Sequence, residues 1–501
     1  MNTQDGGERM TKTEHTRVIW WLELVLKLGM LTVGFLQVSS LTFGKPIISI
    51  VLWPTLGLGG ILLLYRLWHW KEYAVSANVC ILVLFCISYA VSSIANLQYG
   101  WYSNLRTWVW MVFLMFLLYC YRAKEPNEYG RSQYRILTYF YLICGAILTI
   151  SSFYFLLIGY EKTFFVESGP VYYIGFKWGR LYGAYWDPNI GALLCCVSIL
   201  LSLGLLRKNQ PIWLRVLLWI NMVLELLYIA FSDSRAGHLC ICVGLAVYVW
   251  LYVWPHRKKW IAVLAAVAMA AVMWFAVEGI QQAYNLIMIH ENTAYEQNRP
   301  GGPEGSGMDL PWEGRPPEGY LPGEELIGRE EDYTEDISNR RFDIWKSALE
   351  IFQQSPILGI GHENVLAYVE QNLPNSYLIT NDHMKFSSMH NIFFDILVGQ
   401  GAVGIILFIA AGIVFAIRII KGWSRIRSQA HGESTVYIAQ FAILAILVVA
   451  GCVMTEIIYV SSPMSSMFWL SLGRLLKRAS EPVEEGESQH AESFERIGSR
   501  V

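Results

Sequence analysis

The sequence predicts an all-α integral membrane protein of about 12 transmembrane helices with one large extracytoplasmic loop that contains short helices. The composition supports this fold class, since 54% of the 501 residues are hydrophobic and only 16% are charged. The chain also contains repeated apolar runs long enough to cross a bilayer, which takes about 20 residues. These runs start near residues 18, 46, 73, 105, 136, 188, 213, 238, 260, 392, 437 and 463, and the last one is short.

The basic residues between these runs predict how the protein lies in the membrane. Lys and Arg concentrate on alternate connections, and connections of that kind generally face the cytoplasm. Both termini fall on the same side, which predicts a multi-pass protein of the cytoplasmic membrane with cytoplasmic N- and C-termini. The other connections are expected to face outwards, and they are residues 92–104, 159–186, 231–237 and 278–390. Because the basic residues are dispersed and the net charge is -2, nothing indicates a nucleic-acid partner.

This topology predicts five parts. They are a cytoplasmic N-terminal tail at 1–17, nine transmembrane helices at 18–279, the large extracytoplasmic loop at 280–390, three further helices at 391–478 and a disordered cytoplasmic tail at 479–501. Within the loop, residues 298–336 are rich in Pro, Gly and Glu and cannot bury a core, which predicts a mobile insertion. Its acidic run at 330–336 is expected to be a solvated surface rather than a cation site. Residues 337–390 are expected to form the catalytic part.

The catalytic part of the loop begins with a helical pattern. The start is expected to be capped by Ser338 or Asn339, and Pro356 is expected to close the helix. One face of this helix is predicted to meet an apolar surface, and its members are Arg341, Ile344, Trp345, Ala348, Leu349 and Phe352. Residues four apart share a helix face, so Arg341 should lie beside Trp345.

Basic residues in the connections predicted to face outwards are exceptions to the orientation rule, so their presence needs another explanation. They are Lys177 with Arg180, Arg235, and Arg340 with Arg341. Arginine binds phosphate oxygens through paired hydrogen bonds and stays charged near lipid, which makes the four arginines, Arg180, Arg235, Arg340 and Arg341, candidates for binding a diphosphate. For Arg235 the alternative is a side chain that only anchors a helix end to lipid phosphates.

His390 stands at the entry to the span that starts near residue 392. A histidine can take a proton from a hydroxyl near neutral pH. Together with the arginines it would suit the attack of a sugar hydroxyl on a sugar that is linked to a lipid through diphosphate, with the arginines stabilising the leaving group. The alternative is that His390 and Asn391 only cap or anchor the helix. The sequence has no Asp-x-Asp pair for the metal of a sugar nucleotide, and no metal site or cofactor is predicted.

Four segments, in this order, resemble the O-antigen ligase and Wzy-type polysaccharide polymerase superfamily. They are RLYGAYWDPNIGA at 180–192, SDSRAG at 232–237, RFDIWKSALEIFQQSPILGIG at 341–361 and HNIFFDILVGQGAVG at 390–404. The resemblance implies a GT-C-like bundle and a metal-independent glycosyltransferase. Such enzymes use undecaprenyl-diphosphate-linked glycans outside the cytoplasmic membrane, in cell-surface polysaccharide biosynthesis.

The resemblance also implies roles for particular residues. The essential groups of such enzymes correspond here to Arg235, Arg341 and His390, and Arg180 is a further candidate on the diphosphate side. Arg340 remains an alternative to Arg341. The implied partners are an undecaprenyl-diphosphate-linked glycan donor and a glycan, lipid or wall acceptor, so polymerase and ligase both stay open.

A flippase or transporter of lipid-linked sugars is the alternative from another class. Transporters commonly carry ionisable residues near the middle of the membrane and are built from repeated halves. Charge within the predicted spans is sparse, limited to groups such as Glu23, Lys27 and Glu225, and no internal repeat is visible. These features favour the enzyme.

Overall fold

The structure, a computed structural model, describes residues 4–42, 45–73, 77–122, 127–164, 172–298, 326–328, 340–381, 385–427 and 433–481. The helices in this part are α1 (Gln4–Val38), α2 (Ile47–Trp68), α3 (Ala77–Ala95), α4 (Leu97–Phe113), α5 (Asn127–Leu157), α6 (Pro188–Leu205), α7 (Ile212–Phe231), α8 (Arg235–Val253), α9 (Lys259–Asn298), α10 (Arg341–Gln354), α11 (Val365–Asn372), α12 (Tyr377–Thr380), α13 (Ile392–Lys421), α14 (Trp423–Arg427), α15 (Ser434–Gly451) and α16 (Pro463–Ser480). The predicted all-α membrane fold is confirmed.

Ten helices of the described part are long and apolar enough to cross a membrane, namely α1 to α3, α5 to α9, α13 and α15. Two further apolar runs, which the sequence predicts as spans, form helices that are not among these ten. The run near residue 105 forms α4, which is kinked at Gly100 and continues as a π-helix at Leu114–Tyr119. The run near residue 463 forms α16, which is buried along most of its length. Because α16 contacts protein rather than lipid, it can carry serine and glycine.

A small antiparallel sheet, which the sequence did not predict, folds the connection between α5 and α6. Its strands are β1 (Lys162–Phe164), β2 (Tyr172–Lys177) and β3 (Arg180–Gly183), in the order β1-β2-β3. Lys177 pairs with Arg180 across the turn between β2 and β3. The sheet covers one end of the bundle, where Ser40 N after α1 donates a hydrogen bond to Ala184 O at 2.9 Å.

Several connections predicted to face outwards meet at this end of the bundle, which we call the His390 end. The sheet contacts the turn between α7 and α8, since Arg180 Nε donates to Ser232 O at 2.8 Å. The start of α13 contacts the end of α15, since Asn391 Nδ2 donates to Cys452 O at 2.8 Å. These contacts agree with the predicted alternation of connections. Which end faces the cytoplasm stays a prediction.

Helix α13 is bent at Gly401, and the loop after α10 packs into the bend. The φ angle of Gly401 is 62°, and a Cβ there would lie 2.4 Å from Ile357 O. A Cβ on Gly359 would lie 2.5 Å from Val398 O. The loop supplies hydrogen bonds at the bend, where Ile360 N donates to Val398 O at 2.9 Å. Both glycines are therefore needed for the close approach that holds α10 against α13.

The predicted loop helix is present as α10, and it ends one residue before Ser355, as its closing Pro356 predicts. Its buried side chains are Ile344, Ser347, Ala348 and Ile351, whereas Leu349 is 46% exposed. Contact of the predicted face with an apolar surface is therefore partly met within the protein by Ile344 and Ala348, and for Leu349 it stays a prediction. The suggested caps Ser338 and Asn339 lie outside the described residues.

Most of the predicted insertion at 298–336, including its acidic run, also lies outside the described residues. Its short described piece, residues 326–328, is attached to α9. Asn285 Nδ2 donates to Ile327 O at 2.7 Å, and Ile327 N donates to Asn285 Oδ1 at 2.8 Å. The chain therefore returns to α9 before α10 begins.

Candidate functional site

His390 precedes the capping residue of α13 and does not itself cap the helix. The cap is Asn391, whose Oδ1 accepts a hydrogen bond from Phe393 N at 2.9 Å. The backbone of His390 has a φ angle of 48°, which is uncommon for a residue with a side chain. Such conformations cluster at functional sites, where the surrounding structure holds them in place. The geometry thus favours a role for His390 other than the capping alternative.

Asp395, in the first turn of α13, holds the loop that carries His390. Its buried Oδ1 accepts from Met389 N at 2.8 Å, and its Oδ2 accepts from Ser388 Oγ at 3.0 Å. Ser388 Oγ in turn accepts from His390 N at 3.1 Å. Thr455 Oγ1 donates to Asp395 Oδ2 as well, which ties in the connection between α15 and α16. Asp395 is therefore a positioning residue for His390.

Helix α10 brings Arg341 towards the same loop. One turn after Arg341, Trp345 Nε1 donates to Met389 O at 3.0 Å, and its ring stacks on Phe394 with centroids 5.3 Å apart. Arg341 is close enough to His390 for its charge to lower the pKa of the imidazole. Arg340 precedes the helix in a left-handed conformation with a φ angle of 65°. This arrangement favours Arg341 over Arg340 as the partner of His390.

The surroundings of His390 keep its imidazole neutral. Burial lowers its pKa, the nearby Asp395 and Asp187 raise it, and Arg341 lowers it, with a net shift downwards. The side chain nevertheless has substantial solvent-accessible surface. A neutral, accessible imidazole is the form that can accept a proton.

Arg180 is buried in β3, and its hydrogen bonds join the sheet to two helices. Its Nε binds Ser232 O, and its Nη2 donates to Asn189 Oδ1 at 2.8 Å. The same Asn189 oxygen accepts from Ser234 Oγ at 2.9 Å. Ser234 caps α8, whose first residue is Arg235. Arg180 thus helps to place Arg235, and its direct contact with a diphosphate stays a prediction.

Asp187 connects this group of residues with His390. It caps α6, since its Oδ1 accepts from Asn189 N at 2.6 Å, and Asn189 holds Arg180 and Ser234 as described above. Its charge raises the pKa of His390. Arg235 is half-buried at the start of α8 on this end of the bundle. The structure places Arg341 and His390 on segments that contact each other, and the convergence of Arg235, Arg341 and His390 on one cavity stays a prediction.

Glu456, in the connection between α15 and α16, is a candidate that the sequence reasoning missed. Its side chain is buried, and among the described residues its Oε2 has no hydrogen-bond partner. Burial raises its pKa to about 8, a hydrogen bond with Ser462 lowers it, and the nearby Asp187 raises it. The carboxyl group therefore carries a proton at neutral pH. In the sequence Glu456 is only a single acidic residue between two predicted spans, and no pattern marks it as part of a site.

An apolar cavity of about 290 Å³ lies between α3, α13 and α16. Part of its wall consists of Ile392 and Phe393, which follow Asn391 in the chain, and of Ile457 and Ile458, which follow Glu456. The opposite wall includes Phe85 of α3 and Trp469 of α16. Apolar cavities that border a few polar groups are typical of ligand sites, and this one can hold a hydrocarbon chain.

Residues 220–409 match the family model whose description is "Wzy_C: O-Antigen ligase". The match contains three of the four segments on which the resemblance depends, at 232–237, 341–361 and 390–404. A comparison with curated proteins gave no match.

Proposed function

We propose that this chain, which belongs to the O-antigen ligase and Wzy-type superfamily, is a glycosyltransferase that transfers or polymerises undecaprenyl-diphosphate-linked glycans. The reaction would take place on the outer face of the cytoplasmic membrane, in cell-surface polysaccharide biosynthesis. The observation that carries this proposal is that Trp345, one turn after Arg341, holds the residue before His390 by a hydrogen bond, so the helix of Arg341 and the loop of His390 are in contact. His390 and Arg341 combine a base with a cation that can stabilise a leaving phosphate.

In the proposed reaction His390 takes the proton of an acceptor hydroxyl. The hydroxyl oxygen forms a bond to the anomeric carbon of the donor glycan, and the bond from that carbon to the diphosphate oxygen breaks. The electron pair leaves with the diphosphate, whose negative charge Arg341 and Arg235 stabilise. Polyprenyl diphosphate is the second product, and the proton on His390 passes to water. This scheme assigns no step to a metal ion.

Two features of the site support a lipid-linked donor. The apolar cavity whose wall includes Ile392 and Ile457 has room for part of an isoprenoid chain. Glu456 is uncharged at neutral pH because its pKa is about 8, so its carboxyl group does not repel a diphosphate and can donate a hydrogen bond to it. The acceptor is a second lipid-linked glycan in a polymerase, or a lipid or wall component in a ligase.

The test is glycan transfer by the purified protein in detergent, with lipid-linked repeat units as substrate. His390→Ala should reduce the formation of new glycosidic bonds by at least about 100-fold, the usual contribution of a general base. His256→Ala is the matched control, since His256 is exposed at the opposite end of the bundle, and it should leave the rate unchanged. Movement of the lipid-linked sugar across sealed vesicles with no new glycosidic bond would instead favour the transporter and contradict the proposal.

A further inference from the structure

We propose that His362 is a further positioning residue of the transfer site, which holds the Asp395 carboxylate and through it the loop of His390. His362 lies in the loop after α10, where it begins a short 3-10 helix at His362–Asn364. The inference rests on the proposed function, because it names a residue that would support the same base.

Asp395 is a buried carboxylate whose hydrogen-bond donors, in the described part of the chain, are all uncharged. Its side chain is fully buried, and the donors are Met389 N, Ser388 Oγ and Thr455 Oγ1. Burying a carboxylate is costly unless a positive group balances it. Among the described residues, His362 is the one basic residue within 4.0 Å of the carboxylate, with its Nδ1 3.9 Å from Oδ1.

The same Nδ1 atom of His362 is itself buried, and within the described residues it makes no hydrogen bond. A buried polar atom without a hydrogen bond costs free energy, so its position needs a physical reason. The separation of 3.9 Å from Asp395 is too long for a hydrogen bond and within the range of an ion pair. Asp395 is therefore the group that stabilises a proton on this atom, and the protonated imidazole in turn balances the buried carboxylate.

The ring of His362 is held in this orientation from its other side. It stacks on the ring of Tyr459, with centroids 4.4 Å apart and an angle of 21° between the planes. The Tyr459 hydroxyl accepts a hydrogen bond from Gln400 Nε2, and Gln400 Oε1 accepts one from Ser88 Oγ of α3 at 2.5 Å. A side chain that is already ordered loses little conformational entropy when it forms an interaction, which makes His362 an effective support.

The backbone of His362 is fixed against α13 as well. The preceding Gly361 N donates a hydrogen bond to Gly399 O at 3.0 Å, and a Cβ on Gly399 would lie 3.2 Å from His362 N. Gly399 follows Asp395 by four residues, about one turn of α13. His362 is thus held by its backbone and by its ring, and its Nδ1 faces the carboxylate that binds the loop of His390.

The experiment compares glycan transfer by His362→Leu and His362→Gln in the full-length protein, with thermal melts to show that each variant folds. Leucine fills similar space and cannot donate a hydrogen bond, whereas the glutamine amide can donate one to Asp395. A shift of about 1 Å in a reacting group can cost about 100-fold in rate, so His362→Leu should lower kcat by at least about 10-fold and leave KM unchanged. His362→Gln should keep most of the wild-type kcat. His256→Leu is the matched control, since His256 is exposed, and it should leave kcat unchanged.

Hydrogen exchange of the backbone amides, followed by mass spectrometry, gives a second readout that does not require transfer. Met389 N donates to Asp395, so the loop around Met389 should exchange faster in His362→Leu than in the wild type and in His362→Gln. If the wild type forms no glycosidic bond, the proposed function fails, and unchanged exchange in His362→Leu then overturns the inference.

With an active wild type, an unchanged kcat in folded His362→Leu overturns the inference. Equal losses in His362→Leu and His362→Gln overturn it as well, because His362 would then act by packing alone. If His362→Leu does not fold, His362→Asn takes its place, since its side chain is one methylene shorter than that of glutamine and its amide lies farther from Asp395. The same results then support or overturn the inference.

Discussion

His390 and Glu456 respond to burial in opposite directions, and both end up uncharged at neutral pH. Burial disfavours a charge of either sign, so it lowers the pKa of the imidazole and raises that of the carboxyl group to about 8. One group can then accept a proton and the other can donate a hydrogen bond. A site that binds a diphosphate gains from both, because neither group adds negative charge.

The first residue-scale prediction concerns the pH dependence of glycan transfer. Because the pKa of His390 is lowered, the base stays deprotonated until the pH falls below the ordinary histidine value of about 6.5. The acid limb of kcat/KM should therefore lie below that pH. Arg341→Gln removes a charge that lowers this pKa, so the limb should move to higher pH while the rate falls. A limb that stays at the same pH in Arg341→Gln would show that Arg341 does not act on His390.

The second residue-scale prediction concerns Glu456 and thermal stability. Its pKa in the folded protein is raised above the ordinary carboxyl value, so its contribution to stability is present at low pH and is lost as the pH rises through about 8. The protein should therefore melt at a lower temperature at pH 9.5 than at pH 6.5. Glu456→Gln mimics the protonated group and should reduce this difference by several degrees. An equal difference in both proteins would contradict the assigned burial of the charge.

At the scale of elements, the site depends on how α10 is attached to α13. Trp345 contacts the residue before His390, and the loop after α10 fits into the bend at Gly401. Attachment at both ends of α10 fixes the distance between Arg341 and His390. The positions that least tolerate an added side chain are therefore Gly359 and Gly401, which have no part in the proposed reaction itself.

Gly359→Ala tests this attachment. The new Cβ would lie 2.5 Å from Val398 O, at a φ angle of 69° that disfavours side chains. We expect a loss of stability of about 1–3 kcal/mol and a clear fall in glycan transfer, because Arg341 moves away from His390. Gly60→Ala in α2 is the matched control, since a Cβ there meets nothing within 4 Å. Thermal melts and transfer rates should distinguish the two, and equal behaviour would show that the close approach is unimportant.

Sequence patterns predicted the molecule as a whole better than the details of its site. Hydropathy predicted the spans because a helix that faces lipid must be apolar along its length. It predicted only a short span for α16, because that helix is buried in protein and carries polar residues. Arg341 and His390 could be selected from the sequence because each begins a segment that resembles the superfamily. Glu456 and Asp187 could not be selected in this way, because their relation to His390 depends on distances between segments far apart in the chain.

The whole molecule has two polar ends with different chemistry. The His390 end combines a neutral imidazole with Arg341 on the neighbouring helix, and at the opposite end Glu23, Lys27, Arg474 and Lys477 line a cavity of about 60 Å³. In the proposed account, glycan transfer takes place at the His390 end. Helix α16 spans the distance between the two ends, with Ser462 near Glu456 at its start and Arg474 near its last turn.

The central claim is that this protein breaks the bond between a glycan and a lipid diphosphate and joins the glycan to an acceptor. The most direct measurement is a count of the polyprenyl diphosphate molecules released for each new glycosidic bond formed by the purified protein. The account predicts one molecule released per bond, and a parallel loss of both products in His390→Ala. New bonds that form at the normal rate in His390→Ala, or consumption of the donor without release of polyprenyl diphosphate, would contradict it.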